Sequence, residues 1–591
     1  MTATFRRYLP FASSTTPLQA VTYLLGIALF SISFLVFLNS SISFVITDLI
    51  GVKEGVGDIV GTLGFADELV ALVACPFWGL ASDRLGVRWV AVIGYALIGL
   101  SLFLFVQARN VYPELLLARI FFAFGSSAAT TMVTAILPPL TDESVSSSTN
   151  VASAVGKPAH NPRLSVAMSL ESDMTITPER YRSEISDDEA LLDPAGDIGV
   201  VEKSASEKPS ALAGYVGLFT GCGALVALSL FLQLPARFGD IDGVTPAEAI
   251  TDSFYVVGTV SLAVAVFVFF GLRGLKGENG KGWRLLLGLK NRDGESPGQT
   301  QLRRSSGASD KQVLPYLRLL RESITLGFTD ANIAIGYLGG FVARASTVAI
   351  SLFVPLFINT YFINNGFCRG SPHDPSPELK KECRAAYLLA SILTGVAQLV
   401  GLICAPVFGY LSRRQGTVNG PILVSTISGI VAYIIFPQLA SPEYKDVDGR
   451  GGHPAIFLVV ALLGLSQIGA IVCSLGSLGR GILTVEVSRS QREGMHTIEE
   501  STGDSQTQGE DAPLLDHHAA VESASRIQLK GSIAGVYSWW GGAAILILAK
   551  LGGYLFDNLS TGAPFYMMAI FNGVLLIASL GIDMGHVFGS R

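Results

Sequence analysis

Twelve apolar stretches, each long enough to cross a bilayer, constrain this chain more than any other feature. A helix needs about 20 mainly apolar residues to span the hydrocarbon core. Backbone polar groups in lipid must be satisfied within their own segment, so stretches of this length predict helices. The predicted spans cover residues 20–46, 58–82, 87–107, 113–139, 211–233, 253–273, 335–360, 384–411, 420–440, 454–478, 531–556 and 563–584.

The overall composition agrees with a membrane protein. Only 15% of the 591 residues are charged, and the mean hydropathy is +0.48. A soluble chain carries about 25% charged residues, so this one lacks the charge to coat several soluble domains. No basic domain with interleaved aromatic residues is present, so we expect no nucleic-acid partner. The main partner is the lipid bilayer.

Three polar segments interrupt the spans. Residues 141–210 hold 6 Lys/Arg and 13 Asp/Glu. Residues 273–322 hold 11 Lys/Arg and 5 Asp/Glu, and residues 479–530 are acidic. None has a sustained apolar period, so we expect mostly disorder. The predicted domains are an amino-terminal half (1–272, with the insert 141–210), a basic linker (273–330) and a carboxyl-terminal half (331–591, with the insert 479–530). Basic residues in the short loops place both termini and all three polar segments in the cytoplasm.

One motif occurs twice, at the end of the second span of each half. The first copy is Pro76-Phe-Trp-Gly-Leu-Ala-Ser-Asp-Arg-Leu-Gly-Val-Arg88, and the second is Pro406-Val-Phe-Gly-Tyr-Leu-Ser-Arg-Arg-Gln-Gly416. Proline, glycine, serine, arginine and glycine recur at the same spacing. This repeat predicts a transporter built from two related halves. The predicted fold is therefore all-α and integral to the membrane, with twelve transmembrane helices in two six-helix, pseudo-symmetric halves.

The first copy resembles the loop signature of the major facilitator superfamily, and the long loops resemble those of its eukaryotic, fungal-like members. The resemblance implies a monomeric secondary transporter. It also implies a conformational latch at the cytoplasmic ends of the two halves, formed by Gly79, Asp83, Arg84, Gly86 and Arg88. The corresponding residues of the second copy are Gly409, Arg413, Arg414 and Gly416. Arg413 stands where the signature has aspartate, so this half of the latch departs from the pattern.

Four charged residues stand out inside the predicted spans: Asp67, Glu68, Arg119 and Arg344. A charge in mid-membrane costs about 2.5–3.5 kcal/mol on insertion scales, which makes each one a functional candidate. Glu68 shares a helical stripe with several glycines and is expected to face protein, while Asp67 points about 100° away. Either carboxylate could carry a coupling proton, or could form a static pair with Arg119. Arg344 could contact an anionic group of the substrate, or could have a partner across the bundle.

The remaining motifs lie in the loops. Cys368 and Cys383 share one predicted outer loop, where an oxidising environment predicts a disulfide. Two acidic dileucine sequences resemble the signals that sorting adaptors read in vacuolar or lysosomal membrane proteins. They predict a location in that membrane, with the plasma membrane as the alternative. A third sequence, in the linker, resembles a basophilic kinase site. These signals are Leu191-Leu192, Leu514-Leu515 and Arg303-Arg304-Ser305-Ser306.

The sequence favours transport over catalysis. It has no His/Cys cluster with metal-ligand spacing, no nucleotide-binding loop and no nucleophile motif, so we predict no cofactor, no metal and no enzymatic activity. The leading hypothesis is a secondary active transporter of a small organic solute that works by alternating access and is coupled to protons. The alternatives are an uncoupled facilitator and a transport-dead sensor or scaffold. Finding Glu68, Arg119 and Arg344 all paired in a packed interior would remove the motive for coupled transport.

Overall fold

A computed structural model describes residues 10–52, 56–142, 194–239, 241, 243–275, 278, 281–286, 316–365, 384–413, 419–446, 451–499 and 529–589. Within these ranges the regular structure is helical throughout. Twelve helices are long and apolar enough to cross a membrane: α1 (Pro17–Leu49), α2 (Ile59–Leu85), α3 (Val87–Phe105), α4 (Val111–Thr141), α5 (Lys208–Phe231), α6 (Ala247–Gly271), α7 (Ala331–Asn364), α8 (Leu388–Arg413), α9 (Gly420–Gln438), α10 (Ala455–Leu483), α11 (Lys530–Asn558) and α12 (Ala563–Gly585). The predicted number of spans is confirmed, with boundaries shifted by a few residues.

Local sequence signals set several helix starts. Thr16 and Thr245 each begin a helix with a capping box, in which the threonine hydroxyl and a glutamine or glutamate side chain three residues on satisfy backbone amides reciprocally. In both helices proline occupies the first position, where its missing N–H costs nothing. Asp330 caps α7 by accepting from the amides of Asn332 and Ile333. Such caps let the polar chain turn into the bilayer without unpaired amides.

The expectation of disorder is wrong at the edges of two polar inserts. The helix that contains α5 begins at Pro194, and the helix that contains α10 continues to Glu499. A membrane helix is already nucleated, so each further residue adds a hydrogen bond without a new nucleation cost. Hydrophobic periodicity was the wrong guide here, because these extensions need no apolar face.

The two halves meet closely at the end of the bundle that carries the Asp83–Arg88 loop, which we call the motif end. There α2 packs on α11, and α5 packs on α8. A Cβ built on Gly79 would lie 2.8 Å from the Cα of Gly535, and one built on Gly214 would lie 2.8 Å from the Cα of Gly409. Only glycine permits this backbone approach, so larger residues there would hold the halves apart. The motif end, predicted to be cytoplasmic, is closed.

The same helix pairs diverge towards the opposite end. Gly61 lies 18 residues from Gly79 along α2, and Gly553 lies 18 residues from Gly535 along α11. This antiparallel register places Gly61 opposite Gly553, yet a Cβ on either would meet no atom within 4 Å. On α8, Gly395 likewise faces open space. The bundle is thus closed at the motif end and splayed at the other, which is an outward-open arrangement in the predicted topology.

Among the described residues, five helices contain a π-helical turn on the splayed side. These turns are Val45–Leu49 in α1, Val111–Leu115 in α4, Ala227–Phe231 in α5, Ala349–Phe353 in α7 and Leu548–Gly552 in α11. Helices α1 and α7 hold equivalent places in the two halves, and so do α5 and α11. Because π-helical turns bend helices and cluster at functional sites, the repeated placement indicates a shared bend beside the central cavity.

Candidate translocation site and gate

The amino-terminal half contains a charged cluster that joins α1, α2 and α4. Arg119 on α4 donates from Nε to both carboxylate oxygens of Asp67 at 2.8 Å, and its Nη2 bonds to Asp67 and to the amide oxygen of Asn39 on α1. Arg119 is 3% exposed and Asp67 is 14% exposed. The bidentate geometry matches an arginine fork to a carboxylate. The sequence left open whether Asp67 or Glu68 is the static partner of Arg119. In the structure that partner is Asp67.

Glu68, the next residue, is placed differently. It is half-buried, and it makes no hydrogen bond or ion pair with any residue in the described ranges. Its carboxylate is close enough to Arg344 of the opposite half to interact with it electrostatically, and it also feels Asp67 and Arg119. Adjacent positions on a helix point about 100° apart. One carboxylate of α2 is therefore used in packing the half, while its neighbour remains available at the junction between halves.

Arg344 lies on α7, on the other side of that junction. Its aliphatic stem packs over Gly541 of α11, where an added Cβ would lie 2.8 Å from Cγ of Arg344. Arg344 as a residue is half-buried, and its guanidinium forms no hydrogen bond or ion pair among the described residues. A guanidinium has five N–H donors and no acceptor. Arg344 thus has donors to spare, beside an uncommitted carboxylate.

Gln467 and Gln398, two polar residues missed by the sequence analysis, lie near Arg344. Gln467 on α10 donates to the hydroxyl of Thr347 on α7 at 3.0 Å, and it accepts from Gln398 on α8 at 3.4 Å. Thr347 is one turn from Arg344. Gln398 is exposed, so the network reaches the surface of α8. Amides within apolar spans were the signal that would have identified this network of donors and acceptors.

Another membrane charge, Lys550 on α11, was also missed by the sequence analysis. Its Nζ lies 4.2 Å from the ring centroid of Phe65 on α2, a cation–π contact between the two halves. Phe65 is one turn from Glu68. Lys550 is exposed and lies on the splayed side of the bundle. The charged groups near the junction are thus one committed pair, Asp67 with Arg119, together with Glu68, Arg344 and Lys550.

The motif end is held closed by Asp83 at the end of α2. Its carboxylate accepts from the backbone amides of Gly531 and Ser532 at 2.8 and 2.7 Å, and also from the Ser532 hydroxyl. These amides are the free donors at the start of α11, where the helix dipole favours a negative charge. Asp83 therefore bridges the two halves by capping a helix of the other half.

The other residues of the first motif support this contact. Gly86 adopts φ +100°, a left-handed conformation that favours glycine. The Arg84 guanidinium carbon lies 3.5 Å from the ring centroid of Tyr316 in the linker helix Tyr316–Thr329. Arg88 lies against Trp89 and Phe269, 5.3 and 5.1 Å from their ring centroids. The arginines thus contact aromatic rings that brace the loop.

The second motif differs for a structural reason. Its glycine, Gly409, meets Gly214 as Gly79 meets Gly535, so the close approach of the helices is repeated. The helix facing Arg413 does not start there, however, because it runs without a break from Pro194. Its amides already bond within the helix, so an aspartate in place of Arg413 would have no free amides to cap. The asymmetry of the two motifs follows from where the facing helices begin.

Several predicted positions lie outside the described residues. They are Arg414, Gly416, Cys368, Cys383, Leu191, Leu192, Leu514, Leu515 and the kinase-like sequence Arg303–Ser306. Within the described ranges, no group of three or more His, Cys, Asp or Glu residues is arranged to hold a metal. The disulfide and the sorting signals therefore stay predictions.

Comparison with known proteins bears on the whole chain. The Major Facilitator Superfamily profile matches residues 29–156 and 189–482, which is more than half of the sequence. No curated protein matches the chain by sequence at a significant level.

Solved structures share the architecture at low sequence identity. A bacterial homologue of the iron transporter ferroportin, in an outward-facing state, is 14% identical with a TM-score of 0.52, covering 98% of this chain and 100% of its own. A double-tryptophan mutant of XylE is 11% identical with a TM-score of 0.50, covering 94% and 93%. The human organic anion transporter MFSD10 (TETRAN) is 14% identical with a TM-score of 0.47, covering 96% and 100%. At such identities the likeness shows the fold alone. With the profile match and the two six-helix halves, it follows that the chain belongs to the Major Facilitator Superfamily and has its transporter fold.

Proposed function

We propose that this protein is a secondary active transporter of a small organic solute, with Glu68 as the proton-carrying residue and Arg344 as the contact for an anionic group of the solute. The observation that carries the proposal is the different use of two adjacent carboxylates. Asp67 is bonded to the buried Arg119, whereas Glu68 has no bonded partner in the described ranges and lies near Arg344 across the junction. A charged group inside the membrane that has no bonded partner is energetically costly, so its presence supports a functional role.

Competition for Arg344 would couple the two fluxes. When Glu68 is ionised, its charge attracts Arg344 and disfavours an anionic solute at the same place. When Glu68 takes up a proton, that attraction is lost and Arg344 is free to bind the solute carboxylate or phosphate, bidentately where geometry permits. One proton and one anionic group would then cross together as the splayed end closes and the motif end opens. The Gln467, Gln398 and Thr347 network offers donors and acceptors for hydroxyl groups of the same solute.

The test uses the purified full-length protein and ligand-induced thermal stabilisation, because a ligand that binds only the folded state raises Tm by mass action. Panels of organic acids, sugars and nucleosides are compared. We expect an organic acid to stabilise the protein more strongly at low pH than at high pH. Glu68→Gln should bind the same acid at high pH as well, while Arg344→Gln should lose it. Asp48→Asn, a change at an exposed carboxylate of α1, is the matched control.

Other results would favour the alternatives. A solute that binds and crosses vesicle membranes with unchanged pH dependence in Glu68→Gln would indicate an uncoupled facilitator. If no solute of any class binds to the protein or crosses the vesicle membrane, the result would favour the sensor or scaffold alternative. Metabolite pools compared between deletion and overexpressing cells would supply further candidate solutes. The dileucine signals support a vacuolar or lysosomal membrane as the site of transport, with the plasma membrane as the alternative.

A further inference from the structure

We infer that Glu278, in the linker that joins the two halves, is a second gate residue, which holds the motif end closed through Lys530 of the opposite half. It lies outside the repeated motif, and its role is independent of which solute is carried. The inference rests on a single carboxylate that is fixed to the amino-terminal half through one oxygen and bound to the carboxyl-terminal half through the other.

The first attachment is to the amino-terminal half. Oε2 of Glu278 accepts from the backbone amide of Val87 at 2.7 Å, at the start of α3. A carboxylate there satisfies a free amide and complements the helix dipole. A Cβ on Gly86 would overlap this oxygen, so the glycine leaves the space that Glu278 occupies. The segment is further tied down because the amide of Gly282 donates to the carbonyl of Arg84 at 3.0 Å.

The second attachment is to the carboxyl-terminal half. Nζ of Lys530, the first residue of α11, lies 2.8 Å from Oε1 of Glu278, and the Lys530 side chain is 0% exposed. A buried ammonium is costly without a partner, and a cation at the start of a helix opposes the dipole. The position of Lys530 is therefore tolerable only while carboxylates stand beside it. Lys281 completes the cluster, 3.4 Å from Glu278.

Opening the motif end must break this pair. Helices α2 and α11 touch through Gly79 and Gly535, so separating them carries Lys530 away from Glu278, which stays with α3. Asp83 loses its amide partners in the same movement. The two carboxylates grip the same first turn of α11 but by different means, Asp83 through the backbone and Glu278 through a side chain. The linker is thereby part of the gate rather than a passive tether.

The experiment measures how often the motif end opens, without any solute. The full-length chain, with its native cysteines replaced, carries a single reporter, Ala405→Cys. Ala405 is 0% exposed and lies where α8 packs on α5, away from the Glu278 cluster. Its alkylation by a membrane-impermeant thiol reagent, applied from the cytoplasmic side, reports opening of the whole motif end. Glu278→Gln and Lys530→Met each remove one charge, and Lys530→Arg retains it as the matched control.

We expect Glu278→Gln and Lys530→Met each to raise the alkylation rate about tenfold. The rate of the double variant should exceed that of the faster single variant by less than twofold, because both substitutions remove the same interaction. Lys530→Arg should stay near the parent rate. Unchanged rates in both single variants would overturn the inference, and so would fully multiplicative effects in the double variant. If Lys530→Met fails to fold, Glu278→Gln alone decides, since it keeps the shape of the side chain.

Discussion

Asp67 and Glu68 are neighbours in sequence but should respond oppositely to neutralisation. Asp67→Asn removes the negative charge opposite Arg119, a guanidinium that is only 3% exposed. Removing one partner of a buried ion pair costs about 3–5 kcal/mol, because the other charge is left uncompensated. The asparagine keeps one acceptor oxygen for Nε of Arg119, so we place the loss of unfolding free energy near the lower end, about 3 kcal/mol.

Glu68→Gln should cost far less. Glu68 bonds to no residue in the described ranges and is half-buried, so the change breaks no hydrogen bond or ion pair there. Surface substitutions away from such features usually change the unfolding free energy by no more than about 0.5 kcal/mol, and we expect Glu68→Gln to lie closer to this value than to the cost of Asp67→Asn. The unfolding free energies of the parent and both variants are measured by titrating the purified protein with a denaturing detergent. Transport or ligand binding is then compared at two pH values, where only Glu68→Gln should retain full stability and lose pH dependence.

A double variant separates the ion pair from other effects. Asp67→Asn combined with Arg119→Gln removes both charges, so it should be more stable than Asp67→Asn alone. The reasoning would be refuted if Asp67→Asn unfolds like the parent protein, or if Glu68→Gln is the more damaging change. Either result would mean that the carboxylate held by Arg119 in the membrane is not Asp67.

Four further predictions concern the gate and the loops. Asp83→Asn should lower the transport rate without affecting membrane insertion, because a neutral cap holds the first turn of α11 less firmly; normal transport by a well-expressed variant would contradict this. Gly79→Val should prevent closure of the motif end, since its Cβ would lie 2.8 Å from the Cα of Gly535; the Ala405→Cys reporter would then be alkylated rapidly. Cys368 and Cys383 should form a disulfide; labelling of both as free thiols in unreduced protein would refute this, and a cytoplasmic placement of their loop would also overturn the predicted topology. Replacing both leucine pairs by alanine should move the protein to the cell surface, unless the tagged parent is already there; the pairs are Leu191-Leu192 and Leu514-Leu515.

The sequence determined the class of this protein because hydrophobic length is a local property. A span of about 20 apolar residues has one structural solution in lipid, wherever it packs. The repeated motif likewise marked the halves and identified Gly79, Asp83 and Gly86 as a group. In the structure Gly79 lies at a helix contact, Asp83 caps a helix and Gly86 forms a left-handed turn. Glycine and aspartate suit these positions because of their own local conformational and hydrogen-bonding properties.

Only the tertiary structure decided which charges are partners, because pairing depends on how helices distant in sequence are rotated against each other. Helical spacing separated Asp67 from Glu68 by 100°, yet it could not say which of them met Arg119 on α4. The Glu278–Lys530 pair joins residues 252 positions apart, and Glu278 lies in a linker whose sequence has no sustained apolar period. The departure at Arg413 had no sequence explanation either. It became intelligible once the facing helix was seen to begin at Pro194, which leaves no free amides there for an aspartate to cap.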